Sequence, residues 1–310
     1  MPGLATPVVL IIFNRPEQTA RVFAAIRRAR PDRLFVIADG PRAERPDDVA
    51  LVAAARAVVE QVDWPCDVHR DYAATNRGLA DRVASGISQV FEQVETAIIL
   101  EDDCLPHPSF FPFCEELLAR YRDDERIMMV GGVNIVPWAR DAASYSFSHY
   151  MLVWGWATWR RAWRHYDHEM RLWPAARDGG WLADVLGSEA EARFWTPHLE
   201  DVYAGRANYW GRRWLLACWL QRGLVIRPRL NLVANIGHGA AATHTTFDSP
   251  YADMPTAPMR FPLVHPPFVV RDARADAYIF THFFRLSPMQ RVRNRLRLLL
   301  RRRLLAGRAR

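Results

Sequence analysis

The chain has no lysine; all 41 of its basic side chains are arginine. That absence marks genomic base composition rather than chemistry. Cysteine is scarce as well. Cys66, Cys104, Cys114 and Cys218 form no CxxC pair, which argues against a zinc site and reads as reduced, packed thiols of a cytoplasmic protein. No run of about 18 apolar residues occurs, so no transmembrane helix is expected. The apolar stretch Val8 to Phe13 has no basic region before it and is too short for a signal-peptide core. No Gly/Ser linker and no internal repeat divides the 310 residues, so one continuous domain is expected rather than two. Acid is missing from one region only. Residues 288–310 hold nine arginines and no carboxylate, so the net charge of +7 becomes 7 − 9 = −2 for the rest. The basicity belongs to a tail, and the near-neutral body argues against nucleic-acid binding.

The most informative segment is Thr96 to Asp103. A short apolar run, Thr96 to Leu100, reads as a buried strand and ends in Glu101, Asp102 and Asp103. A buried, unpaired carboxylate costs several kcal/mol or stays protonated. Three side by side therefore call for a cation among them. A hard divalent ion with oxygen ligands, Mg2+ or Mn2+ carrying a substrate phosphate, suits that donor set. A solvated acidic turn is the plainer alternative.

Upstream, strand-like and helix-like segments alternate. Val8 to Phe13, Leu34 to Ala38, Cys66 to Arg70, Thr96 to Leu100 and Ile127 to Gly131 read as strands. Glu17 to Arg30, Asp47 to Val62, Leu79 to Gln93 and Phe110 to Arg122 have helical apolar spacing. Such alternation predicts an α/β fold with a mainly parallel central sheet flanked by helices. Ligands of such sheets bind beyond the carboxyl ends of the strands. Asn14-Arg15, Asp39 and the acid triplet all fall at such ends. The second half is instead rich in tryptophan, from Trp154 to Trp219. Most of these read as core, with a few free to stack on a sugar ring.

The segments VVLIIFNRPEQT, FVIADGPR, NRGLADRV, TAIILEDDCLPHPSFFPF and VIRPRLNLVANIGHGAAATHT together resemble nucleotide-sugar glycosyltransferases of the GT-A (Rossmann-like) fold. The likeness is to family-2-like bacterial transferases and, more distantly, to the N-acetylglucosaminyltransferase I type. It covers about residues 7–246. It implies a GT-A-like domain over 1–286, with a nucleotide-binding half at about 7–135 and a Trp-rich acceptor-side half at about 136–286. It also implies a divalent metal, Mn2+ or Mg2+, a nucleotide-sugar donor, a glycan or lipid-linked acceptor, and inverting transfer of a hexosyl or N-acetylhexosaminyl group.

Carried over residue by residue, the resemblance makes Asp103 the direct metal ligand and puts Asp102 near the ribose or the metal's waters. Glu101 would bond around the sugar or the loop, and Arg15 would lie near the donor's phosphates or base. Asp39 would accept a hydrogen bond from the base, Asn76 and Gly78 would line the nucleotide, and His244 would approach metal or diphosphate. His238 is a weaker match. One position departs from the pattern. Relatives carry an acid in a W-D-x-x-W element, and here the residues are Trp210-Gly211-Arg212-Arg213-Trp214. Inverting transfer needs a proton acceptor, and the nearby acids Glu200 and Asp201 are the candidates. Arg212 and Arg213 read either as an ion-paired turn or as binders of diphosphate or of an acidic acceptor.

Residues 287–310 interleave arginine with Val292, Leu296, Leu299, Leu300, Leu304 and Leu305. They can form a basic amphipathic helix on an anionic membrane surface, which would hold the protein at the inner membrane face. Gly211 and the tryptophans also suit a non-catalytic nucleotide or carbohydrate binder. A sugar nucleotidyltransferase would need a Gly-rich phosphate loop that FNRPEQT does not supply.

Overall fold

A computed structural model describes residues 3–237, 251 and 253–285. His238, His244 and the basic tail lie outside the described residues. The chain order is β1 (Val8–Ile12), α1 (Pro16–Ala29), β2 (Arg33–Ala38), α2 (Asp47–Val59), β3 (Asp67–Tyr72), α3 (Leu79–Gln93), β4 (Thr96–Glu101), β5 (Cys104–Pro106), α4 (Phe110–Arg120) and β6 (Ile127–Gly131). There follow β7 (Tyr145–Ser148), β8 (Trp156–Trp159), α5 (Arg160–Trp163), α6 (Trp173–Asp178), α7 (Trp181–Leu186), α8 (Glu189–Tyr203), α9 (Trp210–Leu220), β9 (Leu224–Pro228), β10 (Val233–Asn235) and α10 (Ala273–Ile279), which runs into a π-helical turn, Phe280–Phe284.

Among the described residues, eight strands form one sheet in the order β3-β2-β1-β4-β8-β6-β9-β7. β3, β2, β1 and β4 are mutually parallel, β6 and β9 run the same way, and β8 and β7 oppose them. The molecule is therefore α/β with a mainly parallel sheet. The period-2 alternation of strand side chains divides the core. Val9, Ile11, Phe35, Ile37 and Ile99 join α3, α5 and α9 on one face. Val8, Leu10, Leu34, Val36 and Ile98 meet α1, α2 and α4 on the other. Buried on both faces, these strands read as continuous apolar runs.

The tryptophans are mostly core. Trp156, Trp159, Trp173, Trp214 and Trp219 are almost wholly buried. Trp163 lies between Trp156 and Trp214, with ring centroids 6.1 and 5.1 Å away, and stacks on Tyr166 at 4.4 Å. This cluster seats α9 against the sheet. α8 begins at Ser188, whose hydroxyl accepts from the Glu191 N–H at 3.2 Å, an N-cap that satisfies one orphan donor. It buries Ala192, Trp195, Leu199 and Val202 at helical spacing. No described helix is long and apolar enough to cross a membrane.

Candidate functional site

A cavity of about 610 Å³ opens beyond the carboxyl ends of β1, β2 and β4, between those ends and the helices α3, α8 and α9. Arg15, Asp39, Asn76, Gly78, Glu101, Asp102 and Asp103 all line it. The structure thus brings together seven side chains or backbone positions that are spread over 89 residues of sequence.

The acid cluster begins where β4 leaves the sheet. Asp102 Oδ2 accepts from the Phe13 N–H at 3.1 Å, tying β4 to the end of β1. Arg15 Nη1 donates to Asp103 Oδ2 at 2.8 Å and to Asp102 Oδ1 at 3.4 Å. One guanidinium thus faces three carboxylates. Burial, then Asp103 and Asp102, push the Glu101 carboxyl up to about 8. Burial and Asp103 raise Asp102 to about 7, against the pull of Arg15. The local charge is not fully compensated, and a divalent cation would complete it.

Asp39 organises the neighbouring loop. Its Oδ1 accepts from the backbone N–H groups of Gly40 and Arg77, each at 2.9 Å. Its Oδ2 accepts from Asn76 Nδ2 at 2.9 Å and the Gly78 N–H at 3.1 Å. Four acceptor directions are about what a carboxylate offers. The loops around Asp39 fill those directions, where the resemblance implied a donor base. Gly78 sits at φ +83° before α3, a conformation that disfavours a side chain. Asp48, buried on α2, accepts from Arg42 Nε at 2.6 Å and from Asn14 Nδ2 at 2.8 Å. Those hydrogen bonds hold its carboxyl down at about 2 and fix Arg42 at the cavity's edge.

The late segment returns to the acids through β10, which pairs antiparallel with β5, Asn235 opposite Cys104. The Ile236 N–H donates to the Asp103 carbonyl at 2.8 Å. A Cβ on Gly237 would run into the Asp103 carboxylate and stand 2.7 Å from the Asp103 Cβ. The bare glycine lets the chain pass directly against that carboxylate. Among the described residues, no three His, Cys, Asp or Glu side chains group into a metal site of their own. A Mg2+ or Mn2+ bound through one or two carboxylates plus substrate phosphates does not require such a group. The all-oxygen donor set fits that mode.

Glu200 and Asp201 do not line the cavity. Glu200 Oε2 accepts from Trp173 Nε1 and from Arg177 Nη1, each at 2.9 Å. Asp201 Oδ1 accepts from Arg206 Nε at 2.8 Å and is half-exposed. Both are turned toward α6 or the end of α8. Arg213 donates to the His168 carbonyl at 2.8 Å and stands outside the cavity lining. Gly211 and Arg212 do line it, together with Trp154, Tyr209 and His198. The Arg212 guanidinium lies 4.5 Å over the Tyr209 ring, and burial lowers its pKa. His198 escapes a reading by motif, because its only sequence signal is a histidine one turn from Phe194 on the amphipathic α8.

No protein-family model matches the chain, and no curated protein matches it. Among solved structures it is similar to the galactosyltransferase LgtC in complex with donor and acceptor sugar analogues. That match is at 11% identity and a TM-score of 0.36, over 69% of this chain and 70% of that one. It is also similar to the mannosyltransferase PcManGT from Pyrobaculum calidifontis in complex with GDP-Man and Mn2+. There the identity is 13% and the TM-score 0.34, over 51% of this chain and 45% of that one.

Proposed function

We propose that the protein is a metal-dependent glycosyltransferase of GT-A type that transfers a hexosyl or N-acetylhexosaminyl group from a nucleoside-diphosphate sugar to a glycan or lipid-linked acceptor, with inversion. The observation that carries this reading is the acid cluster Glu101-Asp102-Asp103 around Arg15, at a parallel strand end, sharing one cavity with the Asp39-Asn76-Gly78 loop.

In this reading Asp103, aided by Asp102, holds Mn2+ or Mg2+. Such an ion, when bound, neutralises charge that develops on the leaving diphosphate. The chain's own residues do the rest. Arg15 fixes both aspartates, and the loop held by Asp39 shapes the nucleotide subsite, while Glu101 faces the sugar. Helices α8 and α9, with Trp154, wall the acceptor side. His244 stands as a proposed contact to metal or diphosphate. The tail at 287–310 is proposed to hold the protein on an anionic membrane surface, at the inner face of the membrane.

The test is thermal shift with UDP-, GDP-, CMP- and dTDP-sugars, in Mn2+ and in chelator, on wild type and Asp103→Ala. Ligand at 100 times its Kd adds about 2.7 kcal/mol. A metal-dependent shift with one nucleotide, lost in the variant, is expected. No shift with any donor would sink the reading. A non-catalytic binder of the same fold is the second reading, supported by Gly211 and by the engagement of Glu200 and Asp201 outside the cavity. Donor binding without release of nucleoside diphosphate would favour it.

A further inference from the structure

Among the described residues, the carboxylates that line the cavity all lie on its nucleotide side. Asp39 is filled by its own loops, Asp102 and Asp103 share Arg15, and Glu101 lies among them. Across the cavity, Gly211 offers no side chain. A Cβ there would meet only Val153 Cγ2, at 3.5 Å. Resting on the glycosyltransferase reading above, we propose that His198 on α8 takes the acceptor hydroxyl's proton.

The local geometry prepares this histidine for the task. Its Nδ1 lies 2.7 Å from the Phe194 carbonyl oxygen. A carbonyl only accepts, so Nδ1 carries the hydrogen of the neutral ring. Nε2 is then the lone-pair nitrogen, and His198 lines the cavity. The imidazole stacks on Phe194 at 4.4 Å and meets the Trp195 ring at 6.0 Å, so its plane is held from two sides. Arg212 Nη1 donates to the His198 carbonyl at 3.3 Å. That contact ties α8 at His198 to the first turn of α9. The base missing at Gly211 is thus supplied from the adjoining helix.

Arg212 faces His198 from α9. Further along α8, Glu200 and Asp201 are paired with Arg177 and Arg206. In the step itself, the acceptor oxygen bonds to the anomeric carbon while the bond from that carbon to the diphosphate oxygen breaks. The bonding pair leaves with the nucleoside diphosphate. The hydroxyl proton passes to Nε2, and the imidazolium later loses it to water.

The test uses the donor found by thermal shift, with water or simple glycosides as acceptors, on full-length wild type, His198→Gln and His198→Ala. Nucleoside diphosphate release is measured from pH 5 to 9, and the donor-induced thermal shift is measured alongside. The expected result is a loss of about 10²-fold or more in release for both variants, with the donor shift retained. Added imidazole should restore release to His198→Ala throughout that pH range. Release within about threefold of wild type in His198→Gln, with donor bound, overturns the assignment and leaves the glycosyltransferase reading intact. A wild type that binds donor but releases nothing overturns it in favour of a binder. A wild type that binds no donor sinks both readings.

Discussion

Arg15 and Asp103 stand 2.8 Å apart, Nη1 to Oδ2, and the same guanidinium reaches Asp102 at 3.4 Å. Both sides of the pair are largely withdrawn from solvent. Arg15→Ala leaves the acid cluster without its only described partner cation in the site. We expect a loss of roughly 2 kcal/mol in chelator, the range for hydrogen bonds to charged groups, with a larger stabilisation by Mn2+ than wild type shows. Urea denaturation with and without metal measures both. An Mn2+ effect no larger than in wild type would count against the cluster as a cation site.

Gly237 gives a second test of the same place. Its α-carbon passes so close to Asp103 that a methyl group collides with the carboxylate. Gly237→Ala should keep the fold, because the clash is at the end of β10 and not in the sheet. It should nonetheless weaken metal-dependent donor binding by about tenfold or more, corresponding to about 1.4 kcal/mol. Retained affinity would mean that the flank of Asp103 is not where the ligand approaches.

Asp48 sets a pH limit. Its carboxyl sits at about 2 in the fold because Arg42 and Asn14 bond to it, against an unfolded value near 4. A depressed carboxyl contributes stability that is fully present above the unfolded value and is lost as pH falls through the folded one. Asp48→Asn should cost about 2 kcal/mol at pH 7. The gap to wild type should narrow below about pH 4 and close toward the folded value of about 2. Urea midpoints at three pH values decide it, and a gap constant with pH would refute the assignment.

Glu200 and Asp201 are expected to be dispensable for turnover. Their partners Arg177 and Arg206 are on the surface, where such pairs are worth about 0–1 kcal/mol. Glu200→Ala and Asp201→Ala should keep donor turnover within about threefold while His198→Gln does not, given the 10²–10⁴-fold worth of a general base. A hundredfold loss in either alanine variant would return the proton to a carboxylate.

The strand ends that carry the acids were legible because their signals are local. Leu79–Gln93 and Ile127–Gly131 fall where their apolar spacing puts them, and the strand before the acids needed only one more residue, Glu101. Helix ends were less clear: α2 stops at Val59 and α4 at Arg120, short of the apolar pattern. The rest of the cavity depends on contacts between distant segments. Gly237 meets Asp103 only because β10 pairs with β5. The Trp-rich stretch hides a strand, β8, that enters the sheet backwards between β4 and β6, and no pattern within four residues reveals that. His198 looks like any helix histidine until α9 is packed beside it.

That reversed strand has a mechanical effect. Trp156 pairs with Ile99 at the acid end of β4, and Trp159 with Thr96 at the other, so Val153 and Trp154 leave the sheet beside the acids and line the cavity. Val153 and Trp154 are therefore anchored, within three residues, to the ladder whose other strand leads into the acids. Exchanging a side chain such as Val153 would reshape that edge of the cavity while leaving the ladder behind it untouched.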